Sequence, residues 1–325
     1  MTNTLDSSQS RTVEQPRRRL HVIVNPMSGN GRTQRAWPTI DRRLRRLGFD
    51  IDFRMTESRG DGLRLGREAV MTGVDEVVVV GGDGSLNDVV NGLFTATHGE
   101  PPELTVSVLP AGTGRDFSRN IGLKSFEHAL ETLGDGEVRA LDVGRVDYSD
   151  VEGTRSRYFV NAGDVGIGAE TAALINRSSK LLGGKISYFL GAARTVFTFQ
   201  GRVAQVRVDG ELVHDDKLAM VCMANGRYLA GGMLMAPDAS MDDGLFDILV
   251  LKDVPKYALL GSLLPSVYLG RHINHPAVTF LRGSRIEVTA PDPLLFEVDG
   301  EQPGTTDIRV TMLPGALRVR MPRSR

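Results

Sequence analysis

The first part of the chain alternates short apolar runs with stretches of helical periodicity. The runs HVIVN (21–25) and EVVVV (76–80) have the length and composition of buried strands. Apolar residues recur at helical spacing after the first run; they are Trp37, Ile40, Leu44 and Leu47, and Gly48 follows as a helix terminator. The series continues with a strand over 49–55, a helix over about 61–72, a helix from about Leu86, a strand over 104–110 and a helix around 125–133. Repeated strand–helix units predict a three-layer α/β domain with a mainly parallel sheet.

After about residue 142 the pattern changes to strands joined by turn residues. The predicted strands lie in 202–213, 218–225, 246–251, 277–283, 284–290, 294–301 and 316–322. Two stretches between them, 168–199 and 255–270, have helical character. This order predicts a C-terminal, largely antiparallel β domain.

The boundaries follow from these patterns. Residues 1–19 are polar and end in three arginines, so we expect a disordered tail. Residues 20–142 form the predicted α/β domain, and residues 143–325 form the predicted β domain. The final strand can return to either domain.

Charge and composition narrow the function. The 325 residues carry a formal charge of −1, with a predicted pI near 6.6, so the chain lacks the basic field of a nucleic-acid-binding protein. The single cysteine, Cys222, lies in an apolar run and is predicted to be a buried strand residue, which fits a reducing, cytoplasmic compartment. The longest apolar stretch, 258–270, is shorter than the ~20 residues that span a bilayer. If a membrane is involved, we expect the protein to lie on it, at the inner face.

Glycine-rich turns follow three of the predicted strands. They are NPMSGNGR (25–32), GGDGSLND (81–88) and PAGTGRDF (110–117), and each supplies one hydroxyl, from Ser28, Ser85 and Thr113 respectively. A strand, a glycine turn and a helix together leave backbone N–H groups at a helix N-terminus, where phosphate is favoured. One such turn is weak evidence for phosphate binding, but three turns in register are stronger.

The turns match neither common phosphate-binding fingerprint, because the P-loop lysine and the GxGxxG pattern are both missing. Two of the turns contain a carboxylate instead, Asp83 and Asp116. A carboxylate among phosphate donors suits Mg²⁺, which bridges carboxylates and nucleotide phosphates. The alternative is that each aspartate caps the helix that it precedes, and the sequence leaves the two interpretations balanced.

Five segments in order resemble the motif series of the diacylglycerol kinase catalytic family, and in particular its bacterial soluble lipid kinases. They are NPMSGNG, VVVVGGDGSLNDVVNGL, LPAGTGRDFSRNIGL, APDASMDDGLFDIL and FEVDGEQP. The resemblance runs from about residue 20 to about residue 320. It implies that the first domain is a nucleotide-binding domain and that the second is a mainly antiparallel β-sandwich domain that holds the acceptor. It also implies that ATP binds between the two domains and that a lipid hydroxyl accepts the phosphoryl group.

The resemblance also implies roles for individual residues. The ATP site would include Asn25, Pro26, Ser28, Gly29, Thr56, Gly81, Gly82, Asp83, Gly84, Ser85, Asn87 and Thr113. The family's structural Mg²⁺ position falls on Ser240, Asp243 and Leu245, while Asp83 and Asp116 would lie near the catalytic metal. Asp299 and Glu301 match the carboxylates of the DGE element, where the family places the general base.

Two features make it harder to assign the family's residue roles to this sequence. Arg115 stands where the family usually has asparagine, and it adds a permanent charge that suits either phosphate or an anionic headgroup. The DGE element occurs twice, at 209–211 and 299–301, and Asp-Gly between alternating strands is the common signal of a hairpin turn. Only the order of the motifs favours the second copy as catalytic.

Two further segments bear on lipid. The helix face with Arg42, Arg43, Arg45 and Arg46 is either a solvated surface or a contact for anionic lipid. The methionines Met220, Met223, Met233 and Met235 suit a core or an adaptable apolar pocket, and 229–237 is the candidate segment for acyl chains.

The leading hypothesis is an ATP- and Mg²⁺-dependent kinase of diacylglycerol or a related lipid. Two alternatives stay open: a kinase with a soluble acceptor, as in NAD kinases and phosphofructokinases, and a non-catalytic nucleotide-binding module. The oligomeric state is also open, with a homodimer as one alternative.

Overall fold

The computed structural model describes residues 18–112, 114–151, 153–177 and 195–323. The predicted tail lies outside these ranges up to residue 17, and the first strand begins at Arg19.

The first domain alternates strands and helices. Its elements are β1 (Arg19–Val24), α1 (Ser28–Arg46), β2 (Asp50–Met55), α2 (Asp61–Met71), β3 (Glu76–Gly81), α3 (Asp83–Ala96), β4 (Thr105–Pro110), α4 (Asp116–Asn120) and α5 (Phe126–Asp135). The strands lie in the order β2–β1–β3–β4, and all their pairings are parallel. β3 and β4 are buried at every position, as their continuous apolar runs predict.

The second domain is mainly antiparallel. Its elements are β5 (Glu137–Asp150), β6 (Gly153–Phe159), β7 (Ala162–Gly166), α6 (Ile167–Arg177), β8 (Arg202–Val208), β9 (Glu211–Ala224), β10 (Tyr228–Leu229), β11 (Met233–Leu234), β12 (Phe246–Lys252), α7 (Lys256–Ala258), a π-helical turn (Leu259–Leu263), α8 (Leu264–Val267), a 3₁₀ turn (His272–Asn274), β13 (Val278–Gly283), β14 (Arg285–Thr289), β15 (Leu295–Val298), β16 (Glu301–Thr305) and β17 (Ile308–Met321). The predicted fold class, an α/β domain followed by an antiparallel β-sandwich domain, is confirmed.

The last strand joins the two domains. β17 pairs antiparallel with β14 and β5, and its Arg318 and Val319 also pair parallel with β4 of the first domain. Both domains therefore belong to one network of hydrogen-bonded strands.

Three apolar clusters fill the interior. One lies between the parallel sheet and its helices, the second lies inside the β-sandwich, and the third lies between the outer face of the sandwich and the helical segment 256–267. Cys222 is buried in the third cluster, as predicted.

The helices differ from the prediction at two points, α3 and α4, and a third predicted helical stretch is described only in part. α3 begins at Asp83 and not near Leu86, because the helix takes in the glycine turn itself, with Gly82 as its extended N-terminal neighbour. The short helix α4 was not predicted, since five residues are too few for a periodic pattern. In the predicted helical stretch 168–199, residues up to 177 and residues 195–198 are helical, and residues 178–194 lie outside the described ranges.

Candidate active site

The three glycine turns meet at the carboxyl edge of the parallel sheet. The Ala111 amide donates to the Gly81 carbonyl at 2.8 Å, which ties the third turn to the second. A methyl group on Gly112 would lie 2.5 Å from the Cα of Gly82, and one on Gly29 would lie 2.8 Å from the Ala111 carbonyl oxygen. Several of these glycines are therefore required because the turns pack backbone against backbone.

Other glycines leave space at the same edge. A methyl group on Gly31 or Gly84 would meet no atom within 4 Å. Gly29, Asn30 and Gly31 have φ values of 59°, 58° and 77°, so one short left-handed turn precedes the regular part of α1. Gly84 lies in the first turn of α3, where backbone N–H groups lack partners within the helix. This open backbone can approach a phosphate closely.

Side chains also join the turns. The Asn25 side-chain amide donates to the Ser85 hydroxyl at 2.8 Å, and its carbonyl oxygen accepts the Met27 amide at 3.0 Å. Two residues that the resemblance assigns to ATP, one from the first turn and one from the second, are thus in direct contact.

The other assigned residues of this region form the frame of the turns. The Ser28 amide donates to the Asn25 carbonyl at 3.1 Å, and the Pro26 carbonyl accepts the Gln34 amide at 3.2 Å. Thr56, at the end of β2, donates its amide to Val24 at 2.9 Å. Thr113 lies outside the described residues.

Asp83 caps a helix other than its own. Its carboxylate accepts the backbone amides of Asp116 at 3.1 Å and Phe117 at 3.2 Å, which are the first residues of α4. Burial, and then the nearby charge of Asp116, raise the pKa of Asp83 to about 6. The sequence alternatives, a metal ligand or a cap of α3, did not include this contact between turns.

Asp116 faces the second domain. Its carboxylate accepts the Arg119 guanidinium at 2.6 Å and the Gly231 amide at 2.6 Å, and the residue is 5% exposed. Arg119 also lies over the Tyr228 ring at 5.3 Å. In this structure Asp116 therefore attaches the third glycine turn to the β10–β11 hairpin. Arg115, at the N-terminus of α4, is exposed.

Both DGE elements form hairpin turns. Asp209 and Asp299 have φ values of 49° and 48°, and the glycines that follow have 90° and 89°, as in type I′ turns. Both aspartates also accept backbone N–H groups from another segment. The Asp209 carboxylate accepts the amides of Ser284 and Arg285, within the second domain. The local conformation is thus the same at both copies.

The surroundings distinguish Asp299 from Asp209. Its carboxylate accepts the amides of Val160 at 2.8 Å, Asn161 at 3.0 Å and Ala162 at 3.1 Å, and the Asn87 side chain at 3.1 Å. Burial raises the pKa of Asp299, and the three backbone hydrogen bonds oppose that rise. Both carboxylate oxygens already accept two hydrogen bonds, so Asp299 also anchors its own turn.

Asn87 connects the two domains at this point. It lies in α3, after the second glycine turn, and its amide also donates to the Tyr158 carbonyl at 3.0 Å. Asn91, one helical turn later, donates to the same carbonyl at 2.8 Å and accepts the Tyr158 amide at 2.9 Å. α3 therefore holds the second DGE turn beside the glycine turns. Sequence reasoning did not assign Asn91, although its spacing of four residues from Asn87 places both on one helix face.

A charged group beside Glu301 was also missed. The Arg59 guanidinium donates to both Glu301 oxygens at 3.0 Å, and Glu301 is 38% exposed at its side chain. Burial, and then the charge of Glu301, raise the pKa of Asp88 to about 6. Arg59 lies in the loop after β2, close to Thr56. Its ion pair therefore connects this loop to the second domain, a contact that the sequence does not reveal.

The predicted structural metal position has other partners. Asp243 accepts the Leu245 amide at 3.1 Å and forms an ion pair with Arg282, and Ser240 donates to Asp242 at 2.6 Å. Among the described residues, no group of three or more His, Cys, Asp or Glu side chains is arranged to hold a metal ion. The Arg282 guanidinium already pairs with the Asp243 carboxylate, so these residues do not fit a Mg²⁺ ion in this structure.

The close approach of the turns leads to a stability prediction. Gly112→Ala is expected to lower the free energy of unfolding by about 1–3 kcal/mol, because its methyl group forces Gly82 and the second turn to move. Gly134→Ala is the matched control: it lies in α5, where a methyl group meets no atom within 4 Å, and alanine favours a helix. Urea denaturation measures both, and equal stability of the two variants would contradict the packing argument.

Comparison with known proteins agrees with this geometry. Residues 19–146 match the diacylglycerol kinase catalytic domain, and residues 162–321 match the YegS C-terminal NAD kinase beta sandwich-like domain. The chain belongs to the diacylglycerol kinase catalytic family. This confirms the resemblance seen in the five motifs and makes the protein an enzyme of the lipid kinase class.

Individual members of the family are distant but cover nearly the whole chain. A diacylglycerol kinase of Bacillus subtilis (strain 168) is 27% identical over 301 residues, which cover 92% of each protein. One of Staphylococcus carnosus (strain TM300) is 27% identical over 289 residues, covering 89% of this chain and 90% of that one. The crystal structure of a diacylglycerol kinase from Bacillus anthracis str. Sterne has a TM-score of 0.71 at 21% identity, with 95% and 98% of the chains covered. This last likeness concerns the fold.

Among the described residues, every helix is too short or too polar to cross a bilayer.

Proposed function

We propose that this protein transfers the γ-phosphoryl group of ATP to the hydroxyl group of diacylglycerol or a related lipid. One observation carries the proposal: the three glycine turns converge at the carboxyl edge of the sheet, and Asn87 ties the second DGE turn to the helix that starts there. Phosphoryl transfer needs phosphates held in a fixed position beside a group that accepts a proton. In this proposal the glycine turns hold the phosphates, and the second DGE turn supplies the proton acceptor.

The glycine turns are the proposed triphosphate site. The open backbone at Gly84 offers an N–H group in the first turn of α3, and the Asn25–Ser85 pair offers polar side chains beside it. The N-terminal ends of α1 and α3 add a partial positive charge. These features favour an anion such as phosphate, because main-chain N–H groups at a helix N-terminus bind phosphate oxygens.

Asp83 is the proposed point of contact with a Mg²⁺ ion that arrives with the nucleotide. Its pKa is raised by burial and by Asp116, and in the described part of the chain its carboxylate is held by N–H groups without a cationic partner. A divalent cation would offset the repulsion between the Asp83 and Asp116 carboxylates. Mg²⁺ supplies charge neutralisation at the phosphates when it is bound.

The acceptor hydroxyl is proposed to approach from the second domain, beside Asp299 and Glu301. Asp299 can accept a proton from the hydroxyl if one of its four hydrogen bonds is exchanged, and three of these four come from backbone amides while the fourth comes from the Asn87 side chain. Glu301, which pairs with Arg59, lies at the more exposed side of the same turn. The two carboxylates thus offer a buried base and a half-exposed group that can bind or orient a headgroup.

Exposed apolar side chains support a location at the membrane surface. Tyr257 is 79% exposed and Leu269 is 65% exposed, both near the helical segment over the third apolar cluster. Lys256 donates to the Phe197 carbonyl, which brings the exposed Phe197 to the same region. Aromatic, leucine and lysine side chains together suit the interface of a bilayer.

The deciding experiment uses γ-labelled ATP, Mg²⁺ and vesicles made from total lipid extract. We expect one labelled lipid, whose identification names the acceptor. Activity that persists without vesicles, with NAD or a sugar phosphate present, would replace the proposal by a kinase of soluble acceptors. Tight ATP binding without any labelled product would indicate a nucleotide-binding module without catalysis.

A further inference from the structure

Two asparagine side chains of α3 lie between the second glycine turn and the second DGE turn. Asn87 and Asn91 are one helical turn apart on one face of the helix, and each is 2% exposed. Both contact the backbone of Tyr158, whose ring stacks on Phe94 at a centroid distance of 4.4 Å. The two amides therefore meet a well-packed segment of the second domain, and their hydrogen bonds decide which atoms face Asp299.

A backbone N–H group settles how both side-chain amides are turned. The Tyr158 N–H can only donate, and it lies 2.9 Å from Asn91 Oδ1, so this atom is an oxygen that accepts. Asn91 Nδ2 is then the donor that lies 3.1 Å from Asn87 Oδ1 and 2.8 Å from the Tyr158 carbonyl. Because Asn91 supplies the donor, the atom of Asn87 that faces it is the acceptor oxygen. The Nδ2 atom of Asn87 must therefore point the other way.

The Nδ2 atom of Asn87 has two hydrogens and two acceptors. It donates to the Tyr158 carbonyl at 3.0 Å and to Asp299 Oδ2 at 3.1 Å. A side-chain amide has two N–H groups, so both are engaged, and its oxygen is engaged by Asn91. In this arrangement Asn87 has no N–H group left for a nucleotide phosphate, although the family resemblance assigns it to the ATP site.

The hydrogen bond from Asn87 favours the ionised form of Asp299. Burial raises the pKa of Asp299, and this bond opposes the rise together with the amides of Val160, Asn161 and Ala162. Those three amides belong to the main chain. Asn87 is thus the donor, among these four, that a side-chain replacement can remove.

We propose that Asn87 and Asn91 are positioning residues of the base and not ligands of the nucleotide: Asn91 holds the Asn87 amide, and Asn87 donates to Asp299. The inference rests on the proposed function only in taking Asp299 to be the base. A donor at this carboxylate keeps it ready to accept the proton of the acceptor hydroxyl, because a hydrogen bond to the ionised form favours that form.

The test uses Asn87→Leu and Asn87→Asp. Leucine removes the donor at similar size, and Asn91 can still bind both backbone groups of Tyr158, so the domains keep this contact. Aspartate puts a second carboxyl group against Asp299, which disfavours the ionised form further. We expect the pKa of Asp299 to rise by about 1–2 pH units in Asn87→Leu, the usual effect of losing one hydrogen bond to a charged group, and to rise further in Asn87→Asp.

NMR titration of protein labelled with carbon-13 at the aspartate carboxyl groups measures this pKa without any substrate. The signal that is missing from Asp299→Asn identifies the resonance. The charges of Asp83 and Glu297 also repel that of Asp299, and both residues are unchanged in the two Asn87 variants. The acid limb of the pH–rate profile for lipid phosphorylation should move to higher pH in the same order, because the base then stays protonated to a higher pH. ATP affinity, measured by calorimetry, should not change.

Asn120→Leu is the matched control, because the Asn120 side chain repeats the pattern elsewhere between the domains. It accepts the Tyr228 amide at 2.9 Å, and it donates to the Tyr228 carbonyl at 3.1 Å and to Asn161 Oδ1 at 3.0 Å. Its side-chain partner is an amide and not a carboxylate. The control therefore reports the cost of losing such a contact, and the pKa of Asp299 should stay at its wild-type value.

An unchanged pKa of Asp299 in both Asn87 variants would overturn the proposal. A marked loss of ATP affinity in Asn87→Leu would overturn it as well, and would return Asn87 to the nucleotide site. If the pKa rises as expected but the labelled-lipid experiment gives no product, the proposed function fails while the effect of Asn87 on Asp299 stands, since the NMR titration needs no turnover.

Discussion

Replacing Asp299 by asparagine is expected to reduce the formation of phosphorylated lipid by about 10²- to 10⁴-fold, the usual contribution of a general base. ATP affinity should change little, because the proposed phosphate donors lie on the glycine turns and not on the DGE turn. The measurements are initial rates with labelled ATP and vesicles, and nucleotide binding by calorimetry.

Asp209→Asn is the matched control, because the chain provides the same turn twice. Asp209 has the same left-handed conformation, and its carboxylate also accepts two backbone amides. The control therefore reports the structural cost of losing a carboxylate in such a turn. Equal activity of the two variants would show that Asp299 is only a turn anchor, and comparable melting temperatures would confirm that both variants fold.

Replacing Glu76 by alanine is expected to lower the free energy of unfolding by about 3–5 kcal/mol, the cost of breaking a buried ion pair. The Arg320 guanidinium donates to both Glu76 oxygens at 2.9 and 2.8 Å, and the Ser107 hydroxyl donates at 2.5 Å. Arg18 lies 3.7 Å away. The variant leaves a largely buried arginine without its counter-charge, at the point where β17 meets the first domain.

Glu287→Ala is the control for this second prediction. Glu287 pairs with Arg285 at 2.9 Å and Arg309 at 3.1 Å, but all three side chains are substantially exposed. Water replaces such contacts, so the change in stability should be far smaller. Urea denaturation at neutral pH compares the two variants. A similar loss in both would show that burial does not decide the strength of the Glu76 network.

At the candidate site, the meeting of the glycine turns could be predicted from the sequence. Their positions after three strands predicted that they would share one edge of the sheet, and the structure brings them together there. The reason for the individual glycines differed from the expectation. Gly82 and Gly112 face each other, and Gly84 faces open space, a distinction that depends on the packing of segments about 30 residues apart.

The contacts of the Asp83 and Asp116 carboxylates could not be predicted from the sequence. Asp83 caps the helix of another turn and Asp116 holds the β10–β11 hairpin, although each precedes a helix of its own. Both contacts join residues far apart in the chain. Neither periodicity nor turn propensity carries information about them, because both describe only neighbours in sequence.

The sequence by itself determined the fold class and most of the elements in their order, because hydrophobic periodicity reports which face of each segment leaves water. The strands β5, β6 and β7 and the short helix α4 were not predicted. It also determined the family, through five motifs in order. Only the tertiary structure decided which DGE turn lies beside the glycine turns, since both copies have the same local conformation and only one contacts Asn87. It likewise decided the Arg59–Glu301 ion pair. These features depend on distances between segments remote in the chain, which are set by packing and burial.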